Sequence, residues 1–136
     1  MRLFSFFIVV LLLTSCKSER KLNVVDRTVP ERGELSKDSQ IFLGNRLFSE
    51  KKCITCHDVN LIKKGPSLKE IMAVYDEENG DIVAFLKGNS QAIVDTDPSQ
   101  VAIMQENIDG FLKKISDEEM NAIAVYMKHV VELYAD

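Results

Sequence analysis

The chain has 136 residues, 46% of them hydrophobic, with 17 Lys or Arg against 21 Asp or Glu and a formal net charge of −4. An acidic balance of this kind argues against DNA or RNA as a partner, since phosphate backbones are held by clustered positive charge. The length leaves room for one small domain beside its terminal segments, and few alternating β-branched runs favour helices over strands.

Met1 to Ser15 reads as a signal peptide. Arg2 supplies a positive start and Leu3 to Leu13 an apolar run, shorter than the roughly 20 residues a bilayer span needs. The run ends in Leu13-Thr14-Ser15-Cys16, which resembles the lipobox of bacterial lipoproteins. That resemblance implies cleavage before Cys16 and acylation of that cysteine. Ordinary cleavage would instead leave Cys16 as an odd free thiol in an oxidising compartment. Residues 16–37 are polar and mixed in charge, with Pro30 and Gly33 and little apolar periodicity. They are expected to form a flexible tether behind a lipid anchor.

Residues 38–136 are expected to be the folded domain, all-α, with about four helices. The first covers Asp38 to Glu50, with Ile41, Phe42, Leu47 and Phe48 apolar. A second runs from Ser67 to Tyr75, where Ser67 and Glu70 have the spacing of a capping box. A third covers Gly80 to Leu86, and a short helical piece fits Ser99 to Gln105 after Pro98. The last, Asp117 to Tyr134, is the clearest. Ser116 and Glu119 form its box, and Met120, Ile123, Ala124, Met127, Val130 and Val131 recur at helical spacing.

Between the first two helices lies Cys53-Ile54-Thr55-Cys56-His57, a C-x-x-C-H run with the spacing that attaches a c-type haem. Two cysteines at this separation can form thioethers to both vinyl groups of one porphyrin, with the histidine beneath the iron. A redox dithiol would want a strand before the motif, and a zinc site would want four ligands. Neither finds support in the surrounding residues, where the only other candidates are Cys16 and His129. A buried haem would add a large apolar surface to a modest core, so forms with and without it should differ greatly in stability.

With C-x-x-C-H, Gly65-Pro66-x-Leu68 and the last helix in hand, the domain resembles the class I c-type cytochromes, especially the small bacterial monohaem kind. The resemblance runs from about Gln40 to Tyr134. It implies a small all-α domain wrapped around one covalently bound haem c. Gly44 and Phe48 match the first-helix glycine and aromatic, and Ile123 and Tyr126 the last-helix residues that cross them. The resemblance makes the Pro66 carbonyl the acceptor for Nδ1–H of His57, which leaves Nε2 for iron. It makes Met104 the sixth ligand, although Gln105 stands where the family often has proline. An open or water-bound position, a lysine such as Lys113, or plain packing of Met104 remain alternatives. Met72, Met120 and Met127 read as core residues, and His129 as an ordinary helix histidine.

His–Met ligation saturates the iron and implies one-electron transfer rather than enzyme catalysis. The competing readings are an open-site gas sensor or peroxidase-like enzyme, for which Arg46 and His129 are the available distal groups, and a fixed haem subunit of a larger redox complex. The expected setting is the periplasmic side of a bacterial membrane, as a monomer meeting redox proteins or respiratory complexes. The domain holds ten basic against seventeen acidic residues, and six of the ten occur as Lys51-Lys52, Lys63-Lys64 and Lys113-Lys114. These pairs are either solvated surface or a positive rim that steers docking onto an acidic partner.

Overall fold

A computed structural model describes residues 33–134. The expected signal segment, Cys16 and most of the expected tether lie outside the described residues. The folded unit begins at Glu34, and among the described residues there are five α-helices and no strand. None of these helices is long and apolar enough to cross a membrane.

Helix α1 is Lys37–Glu50, α2 Leu68–Glu77, α3 Ile82–Leu86, α4 Pro98–Gly110 and α5 Asp117–Leu133. Each begins at a short polar side chain that accepts a hydrogen bond from an otherwise unpaired N–H of the first turn. Ser36 accepts from the Ser39 N–H (3.3 Å), Ser67 from Glu70 (3.2 Å) and Asp81 from Ala84 (3.0 Å). Helix α5 has the full reciprocal box: Ser116 Oγ accepts from the Glu119 N–H at 3.3 Å, and Glu119 Oε2 accepts from the Ser116 N–H at 3.0 Å. The bonds that Glu119 accepts from the Ser116 N–H and hydroxyl hold its carboxyl below its usual range.

Helix α4 is longer than its sequence suggests. A short piece over Ser99 to Gln105 is expected, and the structure shows 13 residues. Its start is strongly specified. Asp97 Oδ1 accepts from the Ser99 N–H at 2.9 Å, and Pro98 occupies the first turn, where a missing N–H costs nothing. Its apolar stripe is weak. Ile108 is its one fully buried residue, while Ile103 is 53% exposed, so periodicity gives little sign of its length.

The most extensive helix contact joins α1 to α5, and glycine makes it possible. A Cβ built on Gly44 would lie 2.0 Å from the Ala122 carbonyl oxygen and 2.6 Å from Tyr126 Cβ. Below this crossing Phe48 packs on Tyr126 with ring centroids 5.5 Å apart, a tilted aromatic pair. Leu47, Phe48, Leu68, Met72, Met120, Ile123 and Met127 are all buried in one cluster. Met72, Met120 and Met127 are therefore core side chains, each contributing on the order of 2 kcal/mol by burial.

Candidate functional site

The turn bearing the two cysteines grows out of the end of α1. Lys52 has φ 61, a left-handed conformation that stops the helix, and Cys53–Thr55 then form one turn of 3₁₀-helix. The Thr55 N–H donates to the Lys52 carbonyl at 3.0 Å, and the Cys56 and His57 N–H groups both donate to Cys53 O, at 3.1 and 3.0 Å. Thr55 Oγ1 donates to Lys52 O as well, at 2.7 Å. Neither cysteine is in a disulfide, and both are partly buried. Burial pushes the Cys53 thiol up to about 11, a property of the bare sulfur that disappears once it is alkylated.

His57 is half-buried, and its Nδ1 lies 2.8 Å from the Pro66 carbonyl oxygen. A carbonyl only accepts, so Nδ1 must carry the proton and donate. Nε2 keeps its lone pair. The tautomer needed for metal ligation is thereby fixed by one backbone oxygen. Gly65 lets that oxygen come so close: an added Cβ would sit 2.8 Å from His57 Cε1 and 3.3 Å from Nδ1.

The loop between His57 and Gly65 is closed by backbone bonds at both ends. The Gly65 N–H donates to Cys56 O at 3.1 Å, the Leu68 N–H to Asp58 O at 2.8 Å and the Lys69 N–H to Val59 O at 3.1 Å. An isolated antiparallel bridge pairs His57 with Ile62. Sequence reasoning passed over Asp58 in this loop. The bond from the Lys63 ammonium, with those from the Asn60 and Leu61 N–H groups, holds its carboxyl below the usual range. An aspartate whose side chain accepts from the backbone N–H two residues on forms an Asx-turn, a local feature that does not reveal the pairing with Lys63.

Cys53, Cys56, His57 and Pro66 thus belong to one hydrogen-bonded unit. Met104 comes from a different element. It lies within α4 rather than in an irregular loop, half-buried against the core, and shares no hydrogen bond with the His57 loop. The Lys113 ammonium is engaged by Asp109 one helical turn before it, which disfavours it as an iron ligand. Arg46 pairs with Glu50 at 3.0 Å, and His129 is half-buried in α5. Neither has the setting of a distal catalytic group.

Among the described residues no group of three or more His, Cys, Asp or Glu side chains could hold a metal ion. The zinc reading of Cys53 and Cys56 therefore has no further ligands there. An open cavity of about 430 Å³ borders Gly65 and Pro66 and is also lined by Ile62, Val94 and Gln100. A larger one of about 600 Å³, walled by Phe85, Gly88, Val101 and Ile108, does not touch the C-x-x-C-H turn. Two unpaired sulfurs, an imidazole with a free Nε2 and a backbone cradle that a single Cβ would fill together fit a covalently attached haem.

The sequence model of the family described as Cytochrome c matches residues 42–130. The match takes in most of both crossing helices, the C-x-x-C-H turn, Pro66 and Met104. No curated protein matches the chain.

Proposed function

Because the chain belongs to the cytochrome c family and so carries covalently attached haem c, we propose that it is a one-electron carrier whose iron is held by His57 and Met104. The His57 Nδ1–Pro66 contact of 2.8 Å carries this reading, since it leaves Nε2 alone able to bind iron. The haem supplies a reversible one-electron couple. Everything else is the chain's work. Cys53 and Cys56 fix the porphyrin to the end of α1 through two thioethers. Pro66 orients the imidazole and increases its donor strength. Met104 offers a thioether, a poor donor to ferric iron, which favours the reduced state and raises the potential. Its place on a capped helix, half-buried against the core, suits a ligand that stays bound in both oxidation states and keeps small molecules out.

Met104→Ala tests this reading. The wild-type ferric protein is expected to show the weak long-wavelength band of an iron–thioether bond and to resist carbon monoxide when reduced. The variant should lose the band, bind carbon monoxide readily and have a lower midpoint potential. Persistence of the band in the variant would remove Met104 from the iron. Rapid carbon monoxide binding by wild type would favour the open-site reading instead.

We also place this carrier on the periplasmic side of a bacterial membrane, held by acyl chains on Cys16. The apolar run from Leu3 to Leu13 followed by Thr14-Ser15-Cys16 supports this. A carrier so held is confined near respiratory complexes or other redox proteins at high effective concentration, and meets them as a monomer through small, short-lived interfaces. Cys16→Ser should move the protein from the membrane to the soluble fraction. Unchanged partitioning would count against the anchor.

A further inference from the structure

The loop from Asp58 to Lys64 must hold one shape, because its far end brings the Pro66 carbonyl to His57. Backbone bonds tie its ends, from the Gly65 N–H to Cys56 O and the Leu68 N–H to Asp58 O, and an isolated bridge pairs His57 with Ile62. Between those ties residues 60–64 are exposed and belong to no helix or strand, and the Lys63 N–H donates to Gly65 O at 3.2 Å. Side chains do the rest. Asp58 Oδ1 accepts from the Asn60 N–H at 3.1 Å and from the Leu61 N–H at 3.3 Å, while Oδ2 pairs with Lys63 Nζ at 3.1 Å. The same ammonium reaches the Ile54 carbonyl, between the two cysteines, at 3.5 Å.

We propose that the Asp58–Lys63 pair is a positioning device that keeps the His57–Pro66 hydrogen bond short and thereby holds down the reduction potential of the haem. Asp58 directly follows His57, and Lys63 stands two residues before Gly65. The pair therefore ties the loop's two ends together. The ion pairs Arg46–Glu50 and Lys113–Asp109 each lie four residues apart in sequence and span no such loop. A half-exposed pair contributes little to overall stability, so its leverage is geometric. A short Nδ1–H···O bond gives the imidazole more anionic character, which stabilises ferric iron and lowers the potential. A slack loop lengthens that bond and raises it. The inference rests on the proposed ligation of iron by His57.

The test uses the full holoprotein with Asp58→Asn and Lys63→Gln. Asparagine retains an oxygen for the Asn60 and Leu61 N–H groups, so both variants remove chiefly the ion pair. Positioning predicts that both raise the midpoint potential, and that both speed solvent exchange of the His57 Nδ1 proton several-fold by NMR. A through-space charge effect predicts opposite signs, upward for Asp58→Asn and downward for Lys63→Gln. Opposite signs, or an unmoved potential in either variant, would overturn the proposal. Failure of His57 ligation is separately visible, because wild type itself would then lack a low-spin histidine-ligated spectrum.

Discussion

Gly44→Ala is expected to be among the most damaging single methyl groups that could be added to this chain. The new Cβ would stand 2.0 Å from the Ala122 carbonyl oxygen and 2.7 Å from its carbon, both backbone atoms that no rotamer change can clear. Relief requires α1 to lift off α5. That would separate Phe48 from Tyr126 and open the cluster holding Leu47, Ile123 and Met127. Ordinary overpacking costs about 1–3 kcal/mol. Displacing a whole helix should cost about 3 kcal/mol or more, a large part of the roughly 5–15 kcal/mol that keeps a domain folded. Urea unfolding of the holoprotein measures it, with Asn45→Ala, exposed on the same helix, as a control near wild type. A Gly44→Ala variant as stable as that control would mean the helices do not cross as described.

Gly65→Val should act on the site rather than on the fold. Here the obstacle is the imidazole, with Cε1 2.8 Å, Nδ1 3.3 Å and Nε2 3.5 Å from the added Cβ. The ring is pinned by Pro66 O at 2.8 Å, so it cannot swing aside without losing the bond that sets its tautomer. Loss of such a supporting contact typically weakens a metal ligand about 10–100-fold. The expected result is a holoprotein with a raised midpoint potential and a growing high-spin fraction, its proximal position open to added imidazole. An unchanged low-spin spectrum and potential would show that the cradle has more room than the distances imply. The two glycines separate cleanly by readout. Gly44 governs the unfolding midpoint, and Gly65 governs the spectrum.

The sequence was legible where a local rule meets a fixed spacing. Ser67 with Glu70 and Ser116 with Glu119 announced two helix starts; both serines cap, and the reciprocal glutamate bond of the full box is present at Ser116 but not at Ser67. Methionines at Met120 and Met127, seven residues apart in the last helix, proved to be core. Gly65-Pro66 could be placed against His57 only through the resemblance to the c-type cytochromes, since a Gly-Pro pair by itself signals no more than a turn, and the contact is present at 2.8 Å. Helix α4 was legible only at its beginning. Asp97-Pro98 marks the start, but with one fully buried residue there is no stripe from which to read its length. Asp58 and Lys63 were hidden for another reason. Their meaning lies in the three-dimensional closure of a loop, and in the sequence they look like ordinary surface charge.

The α1–α5 crossing also governs the order in which this chain can acquire its structure. The two helices that form its largest contact are Lys37–Glu50 and Asp117–Leu133, one near each end of the described residues. Such distant pairings form late, after the entropy of closing the intervening chain has been met. Until the seventeen-residue α5 has docked, α1 therefore has no mate. A chain cut a few residues into α5 would leave α1, α2 and α3 without a surface they pack against.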